Sequence, residues 1–195
     1  MTGRATPGTV IAGRSTKDAI RLAALRLFST KGFELTSLRE VADEVGITKA
    51  SLYYHYASKQ DLLLAVIEPV FADMRAMAAD LEGLEYSRDT VRAVLTRQLH
   101  TMLAHRHIGV MFVKDGVAVG QAIGESYLDM MAMHRKLCCW LAGPDADAEA
   151  MLRASAALEI AKTALLSQDL TPHADEALVE RVLLDAALTV LNPAR

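Results

Sequence analysis

Long apolar runs, aromatic residues, proline and cysteine are all scarce in this 195-residue chain, and each scarcity removes a class of protein. No stretch reaches the roughly 18 uninterrupted apolar residues of a membrane-crossing helix. The first residues lack the apolar core and small-residue cleavage site of a secretory signal, so the expectation is a cytoplasmic protein with no membrane partner. Aromatics make up only 5% of the residues and there are 5 prolines, while Ala, Leu and Met recur throughout. That balance favours helix over a sheet built on β-branched and aromatic residues, and predicts an all-α fold. The two cysteines, Cys138 and Cys139, are neighbours and cannot staple distant segments, which points to a reducing compartment and to thiols packed in a core helix. Also missing are a P-loop, a GxSxG elbow, an HExxH pair and a dinucleotide fingerprint. Gly116, Gly120 and Gly124 recur every four residues without a preceding strand. No enzyme and no cofactor are expected, and without a CxxC or tight His/Cys array no metal site either.

What is present is apolar mass, at 52% hydrophobic against 23% charged residues, enough for a real core. The net charge of −3 is unevenly spread. Residues 1–60 hold 9 Lys+Arg against 5 Asp+Glu, and the remainder holds 12 against 19. A basic end on an acidic body suits a polyanion bound at that end.

Residues 1–14, rich in Thr, Gly and Arg, show no helical period and read as a flexible N-terminal arm. From Ser15 or Thr16 the residues Ile20, Ala23, Ala24, Leu27 and Phe28 fall on one helix face, and Gly32 stops the helix after Lys31. Thr36-Ser37-Leu38-Arg39-Glu40 places a hydroxyl ahead of a glutamate, which caps a short helix with Leu38, Val41, Ala42 and Val45 on its buried face. Gly46 ends that helix, and Thr48 caps a third segment from Lys49 to His55. Two short helices across a tight glycine turn form a helix-turn-helix.

Ser58 opens a long helix to about Leu81 in which Pro69 predicts a bend around Ala65 to Pro69. Ser87 or Asp89 opens the next helix. From Arg106 the glycines suggest a short helix, a break near Asp115-Gly116, and a new helix from about Val119 to Leu141, stopped by Gly143-Pro144. Asp145 or Asp147 caps a helix to about Gln168. The last helix, Asp175 to Leu191, carries a broad stripe of Leu178, Val179, Val182, Leu183, Ala186, Ala187, Val190 and Leu191.

Residues 15–67 resemble the TetR family of transcriptional regulators. The resemblance lies in Ala23-Ala24-Leu25-Arg26-Leu27-Phe28 before Gly32-Phe33, in Thr36-Ser37-Leu38-Arg39-Glu40-Val41-Ala42, and above all in Gly46-Ile47-Thr48-Lys49-Ala50-Ser51-Leu52-Tyr53-Tyr54-His55-Tyr56 followed by Ser58-Lys59. It implies an N-terminal three-helix DNA-binding domain, 15–60, followed by a larger helical ligand-binding and dimerisation domain, 61–195. In such a fold the helix from Lys49 enters the major groove. Lys49 is placed to read guanine, Ala50 to approach a thymine methyl, and Ser51 to meet phosphate or base. The resemblance puts the Tyr53 hydroxyl on a phosphate, with Tyr54 and His55 near backbone or bases; packing on the first helix is the alternative for Tyr54 and Tyr56. Leu52 and Ile47 are expected in the core. Thr36, Ser37 and Thr48 stand at helix starts that suit phosphate, and Lys59 is expected to hold the backbone.

For the body the resemblance implies a homodimer, through the last two helices, on an inverted-repeat operator, most simply a repressor released by a small, largely apolar effector. Met102, Met111, Phe112, Tyr127, Met130, Met131, His134 and Trp140, with Met133 beside them, gather on helices expected to face one another and form the candidate ligand pocket. The alternatives are a ligand-independent DNA-binding repressor, a metal sensor built on His134 and Cys138 four residues apart, and a thiol redox sensor at Cys138-Cys139.

Overall fold

Side-chain caps set the helix boundaries in the computed structural model, which describes residues 15–192. The order is α1 (Thr16–Lys31), α2 (Leu38–Val45), α3 (Lys49–His55), α4 (Lys59–Asp80), α5 (Arg88–Ala104), α6 (Arg106–Ile123), α7 (Glu125–Ala142), α8 (Ala148–Lys162), the short α9 (Ser167–Leu170) and α10 (Glu176–Leu191). No strand occurs among the described residues. The expected arm, residues 1–14, lies outside them. Ser15, Ser37, Thr48, Ser58, Ser87, Asp147 and Asp175 each accept a hydrogen bond from the backbone amide three residues on. Such a cap satisfies one of the free amides of a helix start and is worth about 1 kcal/mol. Ser87 and Asp147 therefore prevail over Asp89 and Asp145 as caps. α4 passes through Pro69 as one helix.

Two boundaries differ from the sequence reading. α6 has its kink at Asp115, φ −125° and ψ 29°, as expected, but helix resumes at once and runs to Ile123. The true break is Gly124, at φ +53°, a left-handed backbone that a Cβ disfavours, so α7 starts at Glu125 rather than near Val119. α8 stops at Lys162, short of Gln168, where the chain tightens into a 3-10 turn over Thr163–Leu166.

Two apolar clusters fill the interior. The first joins Ile20, Phe28, Val41, Leu52 and Tyr56 of the N-terminal helices to Leu62 and Ile67 of α4, and continues into Ile108, Met111, Val119 and Ile123 of α6. The second packs α5 against α8 and α10, with Ala154, Ala157, Ala161 and Ala187 all fully buried so that those backbones approach closely. On α10 the buried side chains are Leu184 and Ala187. Leu178 and Val182, part of the broad apolar stripe of the last helix, are exposed, as is Leu152 on α8.

The N-terminal helices are tied to the body by polar contacts at one turn. The Phe33 amide donates to Asp115 Oδ2 at the kink of α6, 2.9 Å away, and Lys114 Nζ lies 3.4 Å from the Ser29 carbonyl.

Candidate nucleic-acid interface and ligand cavity

α2 and α3 owe their placement to three local devices. Ser37 and Glu40 form a reciprocal capping box at the start of α2. Lys31 also pairs with Glu40, and the Lys31 ammonium together with the Ser37 amide and hydroxyl holds the Glu40 carboxyl down at about 2. Gly46 takes the left-handed conformation, φ 75° and ψ 31°, and turns the chain in two residues toward Thr48, whose hydroxyl caps α3. Leu52 then buries completely and Ile47 partly, which fixes the rotation of α3.

That rotation leaves Thr48, Lys49, Ala50, Tyr53 and Tyr54 on the outward face, with Ser51 and His55 half-buried beside them. Lys49 makes no ion pair among the described residues, and its ammonium lies 5.5 Å from the Tyr53 ring centre. Tyr54 is 87% exposed, with only the His55 ring edge beside it, so it does not pack on α1. Tyr56 does, its hydroxyl 3.4 Å from the Lys17 carbonyl.

Three expected phosphate contacts sit differently. Thr36 is only 2% exposed and its hydroxyl donates to the Gly32 carbonyl at 2.7 Å, so it braces the α1–α2 turn instead of facing outward. Ser37 is exposed, but its hydroxyl is engaged with the Glu40 carboxylate, whose charge opposes a phosphate there. Lys59 places its ammonium 4.3 Å over the Phe33 ring and donates to the Glu34 carbonyl at 3.1 Å; burial lowers its pKa.

In the body, α4 to α8 enclose a cavity of about 300 Å³. Of the eight residues expected there, Met102, Phe112, Tyr127, Met130, Met131 and His134 line it. Met111 does not: it is wholly buried in the N-terminal cluster, on the other face of α6. Trp140 lies beyond the cavity against Tyr86, ring centres 5.5 Å apart, and Met133 turns toward Leu64 and Phe71 on α4. Residues the sequence reading passed over also line the cavity, among them Val70, Met74, Gln98, His105 and Lys162. Gln98 left a signal, since it interrupts the inward row of Val91, Val94, Leu95 and Leu99. Burial, followed by the nearby Lys162 ammonium, lowers the His134 pKa and favours its neutral ring; Glu159 acts the other way. Cys138 is buried with its thiol 3.8 Å from the Met151 carbonyl, and burial pushes its pKa up; Cys139 is exposed, contrary to the expected buried pair. No helix among the described residues is long and apolar enough to cross a membrane.

Against known proteins, residues 20–66 match the family of bacterial regulatory proteins described as tetR. The chain is similar to the biofilm operon icaADBC HTH-type negative transcriptional regulator IcaR of Staphylococcus epidermidis, 44% identical over 55 residues, which are 28% of this chain and 30% of that protein. It is similar also to the HTH-type transcriptional repressor KstR2 of Rhodococcus jostii, 33% identical over 98 residues, 48% of this chain and 46% of the relative. The chain thus spans less than half the length of the curated relatives it matches. Its fold is that of the ketosteroid transcriptional regulator KstR2 of Mycobacterium tuberculosis, with a TM-score of 0.71 at 17% identity, covering 92% of this chain and 94% of the other.

Proposed function

We propose that this chain, whose residues 20–66 match the tetR family of bacterial regulatory proteins, is a cytoplasmic repressor that binds an inverted-repeat operator as a homodimer and releases it when a small, largely apolar ligand fills the cavity. The observation that carries the DNA-reading part is the outward face of α3. An exposed tyrosine, a lysine with no ion pair among the described residues and a small alanine stand together on a helix locked by a cap at its start and by Leu52 beneath. An exposed aromatic and an ammonium on one helix face suit base edges and the flanking phosphates. Residues 15–60 form the reading unit in this proposal. Lys49, Ala50 and Tyr54 face the bases, while Thr48, Ser51, Tyr53 and His55 lie toward the backbone.

One helix-turn-helix covers only a short half-site. A pair about 34 to 36 Å apart reaches successive major grooves. Residues 61–195 supply the pairing surface and the ligand site. Exposed Leu152, Leu178 and Val182 on α8 and α10, the last two long helices, support that face as the dimer contact. The cavity favours a ligand-responsive regulator over a constitutive repressor, because a body with no effector has no reason to forgo packing there. The raised pKa of Cys138 lends no support to thiol sensing at that residue.

Selection of bound sequences from random DNA tests the proposal. An inverted repeat with half-sites one helical turn apart is expected, and failure to enrich one overturns it.

A further inference from the structure

The cavity's wall is apolar over most of its extent, with Met74 and Phe112 typical of it, and its polar groups are few. The ionisable side chains lining it are His105, Tyr127, His134 and Lys162; no carboxylate lines it. His105 is already engaged, its Nε2 2.7 Å from Asp73 Oδ2 on α4. Gln98 is 6% exposed, faces the cavity, and has no hydrogen-bond partner for its amide among the described residues. His134 likewise has none. Lys162 uses one of its three N–H groups on Glu159, 2.5 Å away, which leaves two for another acceptor. No buried polar side-chain atom among the described residues lacks a partner, so the Gln98 amide opens on the cavity and is available to a ligand there.

We propose that the cavity takes an organic anion, a monocarboxylate with a compact apolar body, its head group held by Lys162, Gln98 and His134 and its body against the Met74 and Phe112 side. The inference rests on the cavity being a ligand site, as proposed above, and narrows the chemical class. Three donors from α5, α7 and α8 converge with no acidic lining residue to repel the head. A carboxylate takes two or three such bonds, and charge-assisted bonds of this kind are about twice as strong as neutral ones. The volume sits at the lower end of the range for small-molecule sites, about 300–1,000 Å³, which favours a compact body. Seating an anion also opposes the Lys162 charge, the lesser of the two causes that lower the His134 pKa, while burial, the larger one, stays in place. The charged groups around that ring are Lys162 and Glu159 on α8, with the His105–Asp73 pair across the cavity.

The test uses the full chain and two matched probe series: decanoate, decanol and decylamine, then 4-phenylbutyrate, 4-phenylbutanol and 4-phenylbutylamine. Titration calorimetry is expected to show the acid binding about tenfold or more tighter than its alcohol in at least one series, with the amine weakest. Lys162→Met removes the acid's advantage over the alcohol, whereas Lys162→Arg keeps much of that advantage. Equal affinities for acid and alcohol, preference for the amine, no change in Lys162→Met, or no binding in either series overturns the inference. Adding each probe to the complex with the selected DNA separates this from the effector reading. Acids that bind through Lys162 without releasing DNA sink the effector role alone; release by the alcohol or amine at a lower concentration than the acid sinks the anion alone.

Discussion

Asp115→Ala isolates the contact through which the cavity helix holds the DNA-reading end. Asp115 lies at the kink of α6, with the cavity-lining Val113 and Gly116 on either side, and its Oδ2 accepts from the Phe33 amide at 2.9 Å. Truncation removes a charged acceptor from a partly buried amide, which costs about 1.5–3 kcal/mol. At roughly 2–4 °C per kcal/mol for a chain of this length, the thermal midpoint falls by about 3–12 °C. Asp115→Asn, whose carbonyl can still accept from Phe33, loses only the charge assistance and costs less than half as much. Both are measured by circular dichroism melts, with operator affinity and its response to ligand in parallel. The Phe28–Phe33 ring contact remains in either variant, so DNA affinity without ligand falls modestly while the response to ligand falls more. If Asp115→Ala melts within about 0.5 kcal/mol of the parent and responds normally, this contact does not join the two ends.

Further outcomes follow from the same contacts. Tyr54→Ala leaves stability within about 0.5 kcal/mol because the ring packs on so little, yet weakens operator binding in fluorescence anisotropy; a lowered melting point contradicts the exposed placement. Ser37→Ala costs about 0.5–2 kcal/mol through loss of the α2 cap. The Glu40 carboxyl, folded at about 2 against an ordinary 4.5, contributes stability that is complete above pH 4.5 and lost as pH falls toward 2, and Glu40→Gln flattens that part of an acid melt. His134 titrates below its ordinary 6.5 by NMR, so its contribution is complete above that pH and lost on acidification toward its folded value. Lys162→Met raises it only part of the way, since burial is the larger cause. Leu178→Glu combined with Val182→Glu converts the dimer to a folded monomer in light scattering and weakens operator binding.

The caps and glycines made the N-terminal helices legible, because hydroxyl, glutamate and glycine act locally and their partners lie within four residues. The same locality explains why α3 was placed correctly while Thr36 and Lys59 were not. Whether a hydroxyl or an ammonium faces outward depends on the α1–α2 turn, whose Gly32 and Glu34 carbonyls claim both. Gly124 was passed over in favour of Asp115-Gly116 because a run of glycines does not say which of them takes positive φ. In the cavity, methionines and aromatics follow from periodicity, but of the adjacent Met111 and Phe112 on α6 only Phe112 reaches the cavity, while Met111 is wholly buried in the first cluster, which only the packing of α6 against α1 and α4 decides. His105 and Lys162 lie outside any apolar pattern, and only Gln98, a polar break in the inward row of α5, marks the polar side of the cavity in the sequence.

The four α6 side chains that complete the N-terminal cluster also bear on how such proteins diversify. A recombination event joining another regulator's first sixty residues to this body inherits Ile108, Met111, Val119 and Ile123 as the lid of an unfamiliar core. Such a chimaera gains a new operator preference but begins with mismatched volumes at that lid, each costing on the order of 1–3 kcal/mol. Exchanging the reading end therefore carries a stability barrier that residues in the middle of the chain impose. Crossovers that also bring α6 across avoid that barrier, and they carry part of the cavity wall with them.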